Sequence, residues 1–326
     1  MRIVFFGTPL FSAVVLEHLF KSGLNIVAVV SKPDKPAGRA RKLQPTAVKT
    51  MAQNLSTNLP VYQPPIVSTP EFETILKKYE ADLFVVVAYG EIIKSFLLQV
   101  PKIACINLHT SLLPKYRGAA PIQRAIMGGE SETGVTIMHM AKKMDAGDLI
   151  RQVKVPIACN ATFGEIEQAL CSAGKEVLLE VINAFAEHQS LPRCEQEHAL
   201  ATIAPKIELE ECEINWQLPA AQIHDLVRGV NPIPGAWCYI TVDGVKKRLK
   251  INKTCLTSIE TALAPAAIIN LNEHKANLVI STGAGSLELI EVQLEGRKAT
   301  SSAEFARGVS RNTLSFIWHK SCDSLT

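Results

Sequence analysis

Residues 1–31 contain the pattern that most constrains the fold. The runs Arg2–Gly7 and Asn25–Ser31 are almost entirely apolar, as strands covered on both faces usually are. Between them, Phe11–Lys21 has helical periodicity and is followed by Gly23, a residue typical of helix ends. A strand, a helix and a second strand in this order form a crossover unit, which predicts a parallel sheet.

The pattern continues through the first half of the chain. Strand-like runs recur at Leu83–Ala88, Ile103–His109, Gly134–Met140 and Leu149–Pro156. A short helix is predicted over Glu91–Leu98, and a long amphipathic helix over Thr162–His188. We therefore predict an α/β domain over residues 1–189, with a Rossmann-like, mostly parallel sheet.

The composition changes after this helix. Residues 190–206 have mixed charge, two prolines and no clear period, which predicts a linker. Short strand-like runs then follow from Ala236 onward, and Asp243-Gly244 between two of them predicts a hairpin. Short strands of this kind favour a small C-terminal β-barrel, OB-like in type, over residues 207–326.

Composition narrows the class of protein. Of 326 residues, 47% are apolar and 20% are charged, which is typical of an ordered globular chain. The net charge is only +3, so a polyanionic partner must be met by local basic patches. We find neither a membrane-length apolar run nor a signal-peptide pattern, and expect a soluble, cytoplasmic protein. The eight cysteines form no CxxC pair and no zinc-ligand spacing, so no metal site is expected.

The turn after the first strand excludes one common function. A dinucleotide site needs a GxGxxG turn at this position, and the chain has Gly7-Thr8-Pro9 instead. Nicotinamide and flavin cofactors are therefore not expected.

Candidate catalytic residues lie at the ends of two predicted strands. Asn107 and His109 are two residues apart and so share one face of a strand, and Asp145 follows the next predicted strand. An amide that holds a developing oxyanion and an imidazole that accepts a proton suit acyl transfer to an amine. The alternative is that each of these residues has an ordinary role at a strand end or turn.

A basic loop lies between the second strand and the next helix. Residues 32–42 read KPDKPAGRARK, a composition that suits contact with a phosphate backbone. From the residues alone, an ordinary solvated loop is the alternative.

These motifs resemble a known family. The stretch 107–118, NLHTSLLPKYRG, and the later turn Asp145-Ala146-Gly147-Asp148 are similar to the folate-dependent formyltransferases. Residues 6–11, 33–39, 118–124 and 231–237 resemble the tRNA-formylating members of that family. The resemblance extends from residue 1 to about residue 310.

The resemblance implies a reaction and a set of site residues. A formyl group would move from 10-formyltetrahydrofolate to the α-amine of methionine on the initiator tRNA, without a metal, in a monomeric enzyme. Asn107 and His109 would hold the formyl oxygen and move the proton, and Asp145 would orient His109. The folate pocket would be formed by Val87, Ala88, Tyr89, Gly90, Ser111, Leu112, Leu113 and Pro114. Contacts with tRNA would come from Arg39, Arg41, Lys42, Lys246, Lys247 and Arg248.

Two departures from the family pattern leave a rival open. Lys142-Lys143 replace a small residue before the Asp145 turn, and Ala40-Arg41-Lys42 replace Gly-Lys-Lys. The first slightly favours an enzyme that formylates a UDP-amino-sugar, whereas the basic loop and residues 118–123 favour the tRNA enzyme. An enzyme acting on glycinamide ribonucleotide would lack the second domain. A non-catalytic RNA-binding protein on the same scaffold would not need Asn107, His109 and Asp145 intact.

Overall fold

The computed structural model describes residues 1–37, 42–269, 277–309 and 313–317. The strands are β1 Arg2–Gly7, β2 Asn25–Val30, β3 Lys35–Ala37, β4 Lys42–Gln44, β5 Val61–Tyr62, β6 Leu83–Val87, β7 Ala104–His109, β8 Arg117–Gly118, β9 Glu132–His139, β10 Leu149–Pro156, β11 Ile203–Ala204, β12 Ala236–Val242, β13 Val245–Thr257, β14 Ile268–Ile269, β15 Val279–Ser281, β16 Ser286–Leu294, β17 Thr300–Ser301 and β18 Ser315–Ile317. The helices are α1 Leu10–Lys21, α2 Ala47–Leu55, α3 Pro70–Lys77, α4 Ser95–Leu98, α5 Pro121–Met127, α6 Phe163–Ala186, α7 Ala220–Gly229 and α8 Ser302–Arg307. Short 3-10 turns lie at His198–Leu200 and Glu210–Cys212.

These elements form two compact units that are interleaved along the chain. Unit 1 comprises residues 1–121, 132–156 and 167–205, and unit 2 comprises residues 122–131, 157–166 and 206–326. The domain limits drawn from the sequence, 1–189, 190–206 and 207–326, stay a prediction.

Unit 1 contains a seven-stranded sheet in the order β10-β9-β7-β6-β1-β2-β5. Strands β1, β2, β5, β6 and β7 are parallel, and β9 and β10 are antiparallel to their neighbours. Residues 3–6 of β1 and all of β6 are buried, which explains why these two strands have almost no polar residues. The predicted mostly parallel α/β sheet is confirmed.

The pairing of the central strands brings three chain segments to one edge of this sheet. Gly7 lies beside Val87, and Val87 lies beside Leu108. Because β1, β6 and β7 are parallel, the residues that follow them leave the sheet on the same side. The carboxyl edge is the usual position of a ligand site in an open α/β sheet.

The segment 190–205 is hydrogen-bonded to the rest of unit 1. Leu149 and Cys194 exchange two backbone hydrogen bonds of 2.8 and 3.0 Å. Farther along, β11 pairs in parallel with β8. These two backbone pairings hold the segment against the sheet edge and against the turn that follows β7.

Helix limits differ from the sequence expectation where side chains bind the backbone. Thr162 is the cap of α6: its hydroxyl accepts from the Glu165 N–H, and its own N–H donates to the Glu165 carboxylate. A helix is predicted over Glu91–Leu98, but α4 begins only at Ser95, because the Glu91 carboxylate binds the Val67 N–H and the Lys32 ammonium instead.

None of the helices in the described parts of the chain is long and apolar enough to cross a membrane.

Unit 2 is built on an antiparallel sheet in the order β14-β15-β16-β13-β12-β18, with β17 beside β16. The β12–β13 hairpin turns at Asp243 and Gly244, whose φ angles are +51° and +76°. This is the geometry for which Asp-Gly is favoured, as predicted. Trp216, Ile240 and Leu289 are fully buried in its core. The predicted fold class, a mostly parallel α/β sheet followed by a small C-terminal β domain, is confirmed, and the OB-like type of that domain stays a prediction.

Candidate active site

His109 is the last residue of β7 and lies almost wholly inside the protein, with 7% exposure. Its Nε2 is 2.9 Å from the carbonyl oxygen of Tyr116, and its Nδ1 is 3.7 Å from Oδ2 of Asp145. A carbonyl oxygen only accepts hydrogen bonds, so Nε2 carries the hydrogen in this contact. Nδ1 is therefore the nitrogen that can take up a proton, and it does so beside a carboxylate.

Asp145 reaches His109 by a route that differs from the sequence expectation. From the sequence, Asp145 should follow a strand that ends at the same edge as β7. The structure instead shows β9 antiparallel to β7, with Ile106 opposite His139. The turn at residues 140–148 brings the chain from the end of β9 back to His109. A 2.9 Å hydrogen bond from the His139 N–H to the Asp148 carbonyl oxygen closes this turn.

Two local features fix this turn. Asp145 has a φ of +51°, and its Oδ2 accepts a 2.8 Å hydrogen bond from the backbone N–H of Gly118. Gly147 passes so close to β9 that a Cβ there would lie 1.8 Å from the carbonyl oxygen of His139. Only glycine fits at that position, which gives Gly147 a structural reason within the motif.

Asn107 lies two residues before His109 and so on the same face of β7, and its neighbours on the adjacent strands are Val86 and Met138. It is half-buried, and its amide makes no hydrogen bond to any other described residue. The structure thus brings His109 and Asp145 into contact and leaves the Asn107 amide free to bind an oxygen at the same strand end.

The predicted folate-pocket residues fall into two groups. Ala88, Tyr89 and Gly90 line a cavity of about 440 Å³, together with Thr8, Pro9, Lys32, Pro33, Lys35, Gln44, Pro45 and Thr46. Ala88 and Gly90 are exposed and have φ angles of +45° and +86°, whereas Val87 is buried in β6. Burial raises the pKa of the Tyr89 phenol, so it stays protonated.

The second group follows β7 and does not line that cavity. Ser111 and Leu113 are buried, with the Ser111 hydroxyl donating to the Lys115 carbonyl oxygen over 2.7 Å. Leu112 and Pro114 are half-buried. Asn107, His109 and Asp145 also lie outside the lining of the cavity.

The predicted tRNA contacts are described only in part. Arg39 and Arg41 lie outside the described residues, and Lys42 is exposed on β4. In unit 2, Lys246 and Arg248 project from the outer face of β13, because the alternating residues Leu249 and Ile251 are buried in the core. By the same alternation, Lys247 belongs to the face opposite Lys246 and Arg248.

The outer face of this hairpin combines cations with aromatic rings. The Lys246 ammonium lies 3.9 Å from the Tyr239 ring centroid, and the Arg248 guanidinium lies 4.0 Å from that of Trp237. We call these four residues the basic–aromatic patch. Trp237 is buried and Tyr239 is half-buried, so the patch offers its cations rather than open ring faces, and cations of this kind suit phosphate contacts.

Sequence comparisons identify the family. Residues 1–182 match the model described as formyl transferase, and residues 206–310 match the formyl transferase C-terminal domain. A methionyl-tRNA formyltransferase of Protochlamydia amoebophila is 58% identical over 317 residues, covering 97% of this chain and 98% of the relative. The chain belongs to the methionyl-tRNA formyltransferase family. Another member, from Chlamydia pneumoniae, is 41% identical and covers 98% of both chains. The family predicted from the motifs is confirmed.

Several solved structures have the same fold as this chain. An N-formyltransferase of Helicobacter canadensis, in complex with folinic acid and dTDP-3-aminofucose, has a TM-score of 0.66 at 20% identity and covers 89% of this chain and 98% of its own. HypX of Aquifex aeolicus, in complex with tetrahydrofolic acid, has a TM-score of 0.59 at 18% identity and covers 94% of this chain and 46% of its own. At these identities the likeness establishes the fold.

Two residues beside the Asp145 turn have contacts that the sequence does not indicate. The residues around Arg117 predict a turn in which its side chain could face an acidic ligand, but Arg117 is buried and bonds to Gln196 and His198. Gln196 comes from the predicted linker, where no periodicity or motif marks it.

Within the described parts of this methionyl-tRNA formyltransferase family member, no group of three or more His, Cys, Asp or Glu side chains is placed to hold a metal ion.

Proposed function

We propose that this protein transfers the formyl group of 10-formyltetrahydrofolate to the α-amine of initiator methionyl-tRNA. The observation that carries the proposal is the 58% identity, over 97% of the chain, to a relative named methionyl-tRNA formyltransferase. The contact between His109 and Asp145, beside the unbonded Asn107 amide, supplies the groups that the reaction needs. We further propose that the enzyme works as a monomer in the cytoplasm.

In this proposal each residue has one role. The Asn107 side-chain N–H donates to the formyl oxygen as negative charge develops on it, which is worth about 10²–10³ in rate for a single donor. Nδ1 of His109 accepts the proton that the attacking amine loses as its bond to the formyl carbon forms, and it can return that proton to the donor nitrogen whose bond to the formyl carbon breaks. Asp145, held by the Gly118 N–H, stabilises the charged imidazole and fixes its orientation.

The folate donor, when bound, supplies the formyl group. Pterin is a flat ring system with hydrogen-bonding edges, and Ala88 and Gly90 offer exposed peptide groups on a cavity whose lining combines prolines with polar side chains. The residues present therefore fit a pterin. We assign Val87–Gly90 to the folate site on this basis, and Ser111–Pro114 on the resemblance of residues 107–118 to the family.

For the tRNA, we assign separate contacts to each unit. Lys42, with Arg39 and Arg41, would contact the acceptor end from unit 1, and the basic–aromatic patch would contact the tRNA from unit 2, with Lys247 as a further candidate. The Lys246 ammonium is exposed, so it can pair with a phosphate while it remains over the Tyr239 ring.

The combined change of Lys246 and Arg248 to alanine should raise the KM for methionyl-tRNA and leave kcat nearly unchanged. Each lost phosphate contact should reduce the slope of log(kcat/KM) against log salt concentration by roughly 0.7–0.9. The measurement is steady-state formylation at several salt concentrations. The matched control changes Arg297 and Lys298 to alanine, which removes the same charge from another exposed part of unit 2. Equal slopes for the two double variants would remove the patch from the tRNA site.

One assay tests the activity itself. The purified protein is incubated with 10-formyltetrahydrofolate and either methionyl-initiator tRNA or a UDP-amino-sugar, and each product is identified by mass spectrometry. We expect N-formylmethionyl-tRNA and no formylated sugar. Formylation of the sugar alone would establish the rival enzyme, and tRNA binding without either product would favour the non-catalytic alternative.

A further inference from the structure

Gln196 is a buried amide that forms hydrogen bonds at both ends. It lies between Cys194 and the 3-10 turn at His198–Leu200 and is only 3% exposed. Its Oε1 accepts from Nη2 and Nε of Arg117, at 2.6 and 3.2 Å. Its Nε2 donates to the carbonyl oxygens of Asp145 and Gly147, at 2.9 and 2.7 Å. All four hydrogen bonds expected of a primary amide are therefore made.

These bonds join the two chain segments that hold His109 and Asp145. On one side, Arg117 and Gly118 form β8, whose Gly118 N–H binds the Asp145 carboxylate. Immediately before β8, the carbonyl of Tyr116 binds Nε2 of His109. On the other side, Gln196 binds the backbone of the Asp145 turn itself. Gln196 thus fixes the backbone of Asp145 while Gly118 fixes its carboxylate.

The geometry of Asp145 explains why such a tie is needed. Its φ of +51° is unfavourable for a residue with a side chain, and the turn belongs to no regular strand or helix. The carboxylate is 3.7 Å from Nδ1 of His109, at the outer limit of an ion pair. A small rotation of the turn would therefore break the contact.

The partner of Gln196 is equally constrained. Arg117 is 3% exposed, and its guanidinium is bound by neutral acceptors, Oε1 of Gln196 and Nδ1 of His198. A buried guanidinium needs these acceptors, because an unsatisfied charged donor is costly. Arg117 therefore holds the amide of Gln196 in one orientation, with its N–H groups toward the Asp145 turn.

We propose that Gln196 is a positioning residue for formyl transfer, which acts by keeping the Asp145 carboxylate within reach of His109. The inference rests on the proposed function, because it concerns the same reaction. It assigns to the predicted linker a direct part in aligning the catalytic groups.

Two substitutions separate the two halves of the amide. Gln196→Leu removes all four hydrogen bonds at similar volume, and it should lower kcat about tenfold while KM for both substrates stays within about twofold. Gln196→Glu keeps the acceptor for Arg117 but cannot donate to the Asp145 and Gly147 carbonyl oxygens. If the tie to the turn is what matters, the glutamate variant should lose at least as much kcat as the leucine variant. A glutamate variant with wild-type kcat would overturn the proposal.

A double-mutant cycle tests whether Gln196 acts through Asp145. In an Asp145→Ala background, Gln196→Leu should cause little further loss of kcat, because the group that it positions is already gone. A residue that merely supports the fold would cause the same tenfold loss in both backgrounds, and that outcome would overturn the proposal. Gln189→Leu is the matched control, since it removes an exposed amide near the end of α6, and it should retain wild-type kcat.

A structural measurement does not depend on which substrate accepts the formyl group. It therefore distinguishes failure of the role proposed for Gln196 from failure of the proposed function. The crystal structure of Gln196→Leu should show the Asp145 carboxylate displaced from Nδ1 of His109 and from the Gly118 N–H. An unchanged turn would overturn the role of Gln196 whichever acceptor the enzyme uses. Failure of the wild-type protein to formylate methionyl-tRNA, with the turn displaced in the variant, would instead overturn only the proposed function.

Discussion

His109→Ala should lower kcat by about 10²–10⁴-fold, the usual contribution of a positioned general base. The imidazole at the end of β7 has its Nδ1 beside the Asp145 carboxylate, and alanine removes this proposed base. Asn107→Ala should lower kcat by about 10²–10³-fold, because it removes the amide proposed to hold the formyl oxygen. Both effects are measured by single-turnover formylation with saturating substrates.

The control for these variants is His18→Ala, the same substitution on α1 of unit 1. His18 is paired with Glu176 and lies outside the proposed site, so this variant should retain wild-type turnover. Wild-type turnover in His109→Ala or in Asn107→Ala would remove that residue from the mechanism.

Gly147→Ala should lower both the stability and the activity. The new methyl group would lie 1.8 Å from the His139 carbonyl oxygen, so the turn at residues 140–148 has to move away from β9. Overpacking of this kind costs about 1–3 kcal/mol. For a domain of this size each kcal/mol lowers Tm by roughly 2–4 °C. Because Asp145 is in the same turn, kcat should also fall at least tenfold, about 1.4 kcal/mol in the barrier.

Gly23→Ala separates these two effects. Gly23 has a φ of +82°, and no atom lies within 4 Å of the position that a Cβ would take there, so alanine introduces backbone strain without a clash. That strain is worth about 1–2 kcal/mol. Gly23→Ala should therefore lower Tm and leave kcat unchanged, measured by thermal unfolding and by the same assay. If Gly147→Ala behaved like Gly23→Ala, the turn would tolerate displacement without loss of catalysis.

Local patterns are sufficient to predict most of the fold. The apolar runs at β1, β2 and β6 indicate strands covered on both faces, and that alone selects a parallel α/β sheet. The Asp243-Gly244 turn specifies its hairpin because few residue pairs accept two positive φ angles. The predicted start of α4 is wrong because Glu91 is bound by Val67 and Lys32, which are distant in sequence.

In the candidate site, too, the features set by neighbouring residues are predictable and those set by residues distant in sequence are not. Asn107 and His109 are predicted together because strand alternation is a local property. The approach of Asp145 depends on β9 being antiparallel, and hydrophobic periodicity carries no information on strand direction. Gln196 could not be predicted, because its role arises from four hydrogen bonds to residues between 49 and 79 positions away.

The pairing of β11 with β8 has a practical consequence for dissecting the enzyme. A fragment that ends at residue 189, where the α/β pattern ends, would lack Gln196 and β11. It would therefore lose the hydrogen bonds from the Gln196 amide to the Asp145 turn. A fragment ending at residue 205 would keep them. Any minimal fragment that keeps the hydrogen bonds between Gln196 and the Asp145 turn must therefore include a stretch of chain that the sequence marks only as a linker.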